Sequence, residues 1–309
     1  MINMTTRNKF FILLSLLLLV ILSIFISLGA LHYYELRKQL LERKKAWIAL
    51  EEKVRSEVRN FNQETGLIIK DLSTGWEIKI NENKLFPSAS MVKVPIMASY
   101  ALASSRGEVD LSRRLVLKNR NKALGSGILK DYVPGTEFNI DDLIEVMVTQ
   151  SDNTAANMLI EYLGFDPLNN YFKQLGLNNT NLARKMMDFR SRKAGIENFT
   201  SARDLAYLLE EIYNNRLVNR DFSQKCLEIL KRQKIRDRIP AKLPFNTLVA
   251  HKTGLERGVC HDAGIVFTPG GDFIVCVLTK HDYKVAKPAK KFISNIALDV
   301  YNYCCSRDS

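Results

Sequence analysis

A chain of 309 residues, 46% hydrophobic and 25% charged, is too apolar for intrinsic disorder and long enough to bury one sizeable core or two small ones. Its formal charge of +12 is spread along the chain without a recognisable nucleic-acid module, so a solvated basic surface is expected and no nucleic-acid partner. A weaker reading of the same charge is attraction to anionic lipid headgroups or acidic wall polymers. Cys226, Cys260, Cys276, Cys304 and Cys305 form no CxxC repeat and leave one thiol over in any intramolecular pairing, so no disulfide framework is implied. Cys260-His261 lacks the clustered partners that a metal site needs, and no metal or cofactor is expected.

In chain order, the first element is an uncharged apolar run over residues 10–31, bounded by Lys9 and His32. At about 1.5 Å per residue it spans the hydrocarbon core of a bilayer. It is read as a retained transmembrane anchor after a cytoplasmic tail at residues 1–9; a cleavable signal peptide near Ser27-Leu28-Gly29 is the alternative. Arg7 and Lys9 precede the run, whereas Arg37, Lys38, Arg43, Lys44 and Lys45 lie just after it. Charge alone therefore favours a cytoplasmic location for the chain beyond residue 31.

Tyr33, Leu40, Trp47, Val54 and Phe61 recur every seven residues among many charges, which predicts a long amphipathic helix. Its first part, residues 32–45, reads as a stalk and its second part as packing on a sheet; Arg43 and Glu57 interrupt the stripe that a dimeric coiled coil would use. Two strand-like runs, Gly66 to Asp71 and Trp76 to Ile80, flank a turn at Ser73-Thr74-Gly75. Three more strands are expected over Thr247 to Gly254, His261 to Thr268 and Asp272 to Lys280, then a closing helix over Lys284 to Tyr303. The intervening stretch, about residues 91–239, has helical periodicity. Neither group of strands covers a core alone, so strands from both ends must meet in one sheet interrupted by an all-α part. A catalytic domain is thus expected over residues 46–309, its α/β part formed by about 46–90 and 240–309. Active-site residues then fall at the seam between the parts.

Three short motifs carry chemistry. Ser90-Met91-Val92-Lys93 is the only S-x-x-K in the chain. Helical spacing puts Ser90 and Lys93 on one face, where a desolvated, neutral Lys93 serves as the base that a weak serine nucleophile requires. Alone, the motif is weak and reads more readily as a helix-capping serine before an ordinary lysine. Ser151-Asp152-Asn153 comes directly after a helical segment and by itself makes a helix cap; functionally, Ser151 passes a proton to a leaving nitrogen and the Asn153 amide binds a substrate carbonyl. Lys252-Thr253-Gly254 ends a strand, where a lysine and a hydroxyl hold a substrate carboxylate and glycine permits close backbone approach.

The three motifs occur together, in this order, in class A β-lactamases and penicillin-binding proteins. From about Lys45 onward the chain is similar to a class A β-lactamase-type domain, with supporting phrases at Gly125-Ser126-Gly127-Ile128-Leu129, Pro134-Gly135-Thr136 and Ser151 through Asn157. The resemblance implies an α+β fold: a five-stranded antiparallel sheet with flanking terminal helices, beside an all-α subdomain. It implies an oxyanion hole from the backbone N–H groups of Ser90 and Leu255. The substrate is then a β-lactam or a peptidoglycan stem peptide ending in D-Ala-D-Ala, outside the membrane, and this overrules the charge reading of topology.

One family feature is missing. Class A β-lactamases carry a glutamate in an E-x-x-L-N motif that activates the deacylating water. The matching stretch here is Ala183-Arg184-Lys185-Met186-Met187-Asp188, with a methionine in the glutamate's place. Asp188 is a substitute base if the loop bends it inward, and Glu197 is a more distant one; both also read as exposed loop carboxylates. The expected activity is hydrolysis through a Ser90 acyl-enzyme with slow deacylation, a D,D-carboxypeptidase being the second choice. A membrane-tethered receptor or pseudoenzyme without turnover is the alternative.

Overall fold

The computed structural model describes residues 6–282 and 284–306; residues 1–5 of the expected tail lie outside them. The described residues fall into two compact units that divide between Glu52 and Lys53. A single helix, α1 (Thr6–Phe61), carries the apolar run, and an 18-residue window within it reaches a mean hydropathy of 2.8. That helix is long and apolar enough to cross a membrane. From Leu13 to Leu31 its side chains are exposed.

The second unit continues through β1 (Glu64–Asp71), β2 (Glu77–Ile80), β3 (Phe86–Pro87), a 3₁₀ turn at Ala89–Val92 and α2 (Lys93–Ser105). Then come β4 (Arg114–Val116), β5 (Glu137–Asn139), α3 (Ile140–Thr149), α4 (Asn153–Leu163), α5 (Phe165–Gln174), α6 (Phe189–Lys193) and β6 (Phe199–Thr200). The chain ends with α7 (Ala202–Tyr213), α8 (Arg220–Lys231), β7 (Val249–Glu256), β8 (Val259–Val266), β9 (Phe273–Lys280) and α9 (Lys287–Cys305).

Strands from the two ends join in one antiparallel sheet of order β2-β1-β9-β8-β7. The β1–β2 turn uses Gly75 at φ 74°, a left-handed angle that glycine adopts without strain. The expected strands and closing helix are present with ends shifted by a few residues. The central stretch is not wholly helical: β4 pairs with β5, and β6 pairs with β3. These strands have only two or three residues, too few for period-2 alternation to stand out from the surrounding helical pattern.

Alternation decides the two faces of the sheet. Ile68, Ala250, Ala263, Ile265, Ile274, Cys276 and Leu278 join the helices α2, α3, α4, α5, α7 and α8 in one buried cluster. The intervening residues face the other way, toward α9. There Phe61 stacks on Phe292 with centroids 4.2 Å apart, and Lys53 pairs with Asp299 at 2.7 Å. Cys276 is thus a buried core residue, as its apolar run suggests.

Close strand contact fixes one glycine. A Cβ on Gly264 would stand 2.5 Å from His251 Cβ and 2.8 Å from the Ala250 carbonyl oxygen, and neither β7 atom can swing aside. Gly264→Ala is therefore expected to destabilise the domain by about 1–3 kcal/mol. A thermal melt followed by circular dichroism checks this; an unchanged midpoint would show that β7 and β8 separate more easily than their register implies.

Candidate active site

The three sequence motifs converge at one end of β7. Ser90 lies in the 3₁₀ turn before α2, Lys93 is the first residue of α2, Ser151 and Asn153 bracket the start of α4, and Lys252 to Leu255 lie on β7. Ser90 and Lys93 are thus in a tight turn passing into a helix, where a regular helix was expected. The turn is held from behind: Ser88 N donates to Asn198 O at 2.7 Å, and Met91 N to Ser88 O at 2.9 Å. Ala89 is forced to φ 45°, a strained angle for a residue with a Cβ.

Lys93 is fully buried. Its Nζ donates to Ser151 O at 2.6 Å, to Asn153 Oδ1 at 2.8 Å and to Ser151 Oγ at 3.3 Å. Lys252, equally buried, donates to the same Ser151 Oγ at 2.9 Å and to Thr253 O at 2.8 Å. Desolvation pushes the Lys93 amine down to about 7, against an upward pull from Asp152. Lys252 is also pushed well below its ordinary range by desolvation, then by the positive charges of Lys93 and Arg238, with Asp262 opposing. Two ammonium groups sharing one buried hydroxyl repel each other, so this row favours a single positive charge. With Lys252 as donor, the Ser151 hydroxyl is free to give its hydrogen to a neutral Lys93, a path for a proton along the row.

Asp152 explains why this burial is tolerated. It caps α4 through Ala155 N at 2.9 Å and accepts Ile128 N at 2.7 Å and Leu129 N at 2.9 Å. A Cβ at Gly127 would collide with its carboxylate at 2.2 Å, so the glycine lets this loop reach the cap. Asn153 Nδ2 donates to Leu124 O at 2.9 Å, which uses one of its two amide hydrogens and leaves one for a ligand. On β7, a Cβ at Gly254 would meet Met91 and His261 at 3.0–3.2 Å, so close packing requires the glycine. His261 is buried with Nε2 on Pro87 O at 2.9 Å and Nδ1 accepting Thr279 N at 3.1 Å. Desolvation lowers it to about 4, so it stays neutral, and with both nitrogens engaged it serves the fold.

A cleft of about 140 Å³ opens beside Ser90, lined by Ser126, Asn153, Met186, Met187, Leu255 and Glu256 among others. Asn157 fixes the methionine segment through Met186 N at 2.8 Å and Met186 O at 3.2 Å. Asp188 lies elsewhere: it caps α6 through Ser191 N at 3.0 Å and Ser191 Oγ at 2.7 Å, bonds that hold its carboxyl below the usual range. It is not among the residues that line the cleft. Glu197 is likewise engaged, bonding Arg184 and Arg192.

Sequence reading missed the arrangement that secures this wall. Arg184 and Arg192 each pair with both Glu197 and Glu256, at 2.7–3.2 Å. This quartet ties the loop to the end of β7. Asn198 adds bonds to Ala183 N, Arg184 N and Arg184 O at 2.7–3.0 Å. Arg184 and Glu256 are 72 positions apart, so no local pattern announces their contact.

A profile of the β-lactamase enzyme family matches residues 49–304. Over 269 residues the chain is 24% identical to β-lactamase VEB-1 of Pseudomonas aeruginosa, covering 81% of this chain and 89% of that protein. It is 26% identical over 240 residues to the extended-spectrum β-lactamase PER-1 of the same organism, covering 72% and 77%. Among solved structures, a β-lactamase from Sphaerobacter thermophilus superposes with a TM-score of 0.77 at 29% identity, over 84% of this chain and 98% of that one. A PBP-A mutant in acyl-enzyme complex with penicillin G gives 0.75 at 30% identity, over 82% and 96%.

Burial of Lys93 has a direct consequence. Because its charged form is the one penalised, the amine is expected to lose its proton as pH rises through about 7, far below an exposed lysine. Side-chain ¹³C NMR of labelled lysine, assigned with Lys93→Met, reads this titration; a Lys93 midpoint above 10 would show that the buried amine keeps its charge.

Proposed function

Because the chain belongs to the β-lactamase enzyme family, we propose that it is a serine hydrolase acting on β-lactams or D-Ala-D-Ala type peptides through a Ser90 acyl-enzyme. The observation that carries the reading is that the buried Lys93 and Lys252 amines meet at the Ser151 hydroxyl, while Ser90, in the turn that leads into Lys93, lines the cleft with Asn153. In this mechanism neutral Lys93 takes the proton of Ser90 Oγ as that oxygen attacks the carbonyl carbon. The Ser90 and Leu255 N–H groups stabilise the resulting oxyanion, a term often worth about 3–4 kcal/mol per donor. Ser151 then delivers a proton to the leaving nitrogen, resupplied along the row. Lys252 and Thr253 hold the substrate carboxylate, whose negative charge draws the Lys252 amine back to its protonated form. Gly254 keeps the strand close, and Asn153 offers its remaining amide hydrogen to the substrate carbonyl. No metal or cofactor enters.

Deacylation is the weak step. Met186, clamped by Asn157 and lining the cleft, stands in this reading where class A β-lactamases carry their water-activating glutamate. A thioether accepts no proton from water at neutral pH. Asp188, occupied by Ser191, is a poor replacement base. The acyl-enzyme is therefore long-lived, which also favours the second reading of a β-lactam- or peptidoglycan-binding receptor with little turnover. In both readings α1 tethers the domain to the cell membrane through residues 10–31, with residues 32–45 as a stalk and the catalytic domain outside the cytoplasm.

Intact-protein mass spectrometry with penicillin G tests the chemistry. The wild-type chain is expected to gain one acyl group and keep it for minutes or longer, and Ser90→Ala to gain none. Met186→Glu is expected to shorten the adduct's life by about 10-fold or more, since a positioned base contributes about 10²–10⁴-fold. Labelling of Ser90→Ala at the wild-type rate refutes the nucleophile assignment, and an unchanged lifetime in Met186→Glu refutes the account of the loop. For topology, a C-terminal alkaline phosphatase fusion is expected to be active. Activity only from a cytoplasmic reporter would invert the orientation.

A further inference from the structure

The cleft beside Ser90 is narrow. Its volume of about 140 Å³ compares with roughly 300–1,000 Å³ for pockets that enclose a drug-sized ligand. Met187 is one of the side chains that line it. Its backbone sits at φ 63°, a left-handed angle that an ordinary side chain adopts only where its surroundings impose it. Those surroundings are the Asn157 clamp on Met186 just before it and the bond from Phe189 N to Met187 O at 3.0 Å just after it. Arg184, two positions before Met186, is locked in the quartet with Glu197 and Glu256.

The fixed backbone sends the thioether toward the loop at Gly125. A Cβ on Gly125 would stand 3.4 Å from Met187 Cε and 3.6 Å from its Sδ. Both residues line the cleft with Ser90. Gly125 itself holds φ 84°, so the loop presents bare backbone there, and the methionine tip fills the space that a larger residue would take.

We propose that Met187 determines which substrates reach Ser90: its thioether closes the cleft toward Gly125, admitting β-lactams whose amide side chain is slim and extended and refusing those branched at the carbon beside the side-chain amide carbonyl. Methionine suits the role because its side chain is unbranched, with three rotatable bonds and a polarisable sulfur. It yields to a narrow chain by changing rotamer while the clamped backbone stays in place. A branched group needs more width than rotation releases, because Asn157 and the ion-pair quartet prevent the loop from retreating. Leu255, which also lines the cleft, is carried on a paired strand and gives no more room. The proposal rests on the Ser90 acyl-enzyme reading.

The test compares acylation rates for two penicillins with one nucleus and one carboxylate. The first is penicillin G, with its unbranched acyl chain, and the second has a doubly substituted acyl α-carbon. Stopped-flow or timed mass spectrometry gives the branched-to-slim rate ratio for the wild-type chain, Met187→Ala and Met187→Leu. Met187→Ala is expected to raise the ratio by about 10-fold or more, the scale on which pockets discriminate single groups. Met187→Leu, which keeps the bulk, is expected to stay near the wild-type ratio. A thermal melt confirms that each variant is folded. If penicillin G labels the wild-type chain but Met187→Ala leaves the ratio unchanged, the role of Met187 is overturned and the Ser90 reading stands. If Met187→Leu raises the ratio as much as Met187→Ala, bulk at this position is not the determinant and the proposal also fails. If folded wild-type protein is labelled by neither compound, the Ser90 reading falls and this inference with it.

Discussion

Two lysine amines buried against one serine hydroxyl set the terms for the rest of the molecule. A buried ammonium is costly unless it is surrounded by acceptors, and the fold supplies them from three segments distant in sequence. Lys93 comes from the start of α2, Ser151 and Asn153 from the α3–α4 junction, and Lys252 from β7. Asp152 adds a nearby negative charge and, through its three backbone donors, immobilises the junction. Displacing any of the three segments strands a buried polar group, so the seam between sheet and helices is determined by this polar row as much as by the apolar core.

The loop from residue 181 to residue 200 is fixed on a different principle. Asn157 and Asn198 hold its backbone, and the Arg184, Arg192, Glu197 and Glu256 quartet holds its outer edge to β7. The arginine at its centre is almost wholly buried, its side chain 3% exposed. Removing one partner of such a pair is far more damaging than its net contribution suggests, because the remaining charge stays buried. A rigid frame thus carries two methionines into the cleft. The cleft wall they form is thioether rather than carboxylate, and the one carboxylate lining the cleft, Glu256, is tied up in the quartet.

Asn198 joins these two systems. It accepts the Ala183 and Arg184 amides on the loop, and its carbonyl receives Ser88 N in the turn that presents Ser90. The short β3–β6 pairing runs alongside. The turn that carries Ser90 and the loop therefore share one support, made of a few hydrogen bonds of ordinary length.

The sequence alone determined the apolar run, the long amphipathic helix, the five strands from two ends of the chain and the three motifs, because each is a local pattern. Hydropathy period reports a helix or strand, and Ser90, Lys93, Ser151, Asn153 and Lys252 lie in short strings whose residue types already imply a nucleophile, a base and a carboxylate partner. That the loop carries Met186 and Met187 was legible for the same reason. Only the tertiary structure decided that Lys93 and Lys252 meet at one hydroxyl, that Asp188 turns away to cap α6, that Met186 and Met187 line the cleft, and that Arg184 finds Glu256. The short strands β3 to β6 were also hidden. These features depend on distances between segments tens of residues apart and on how completely water is excluded around them, and neither quantity is written in any local window of the chain.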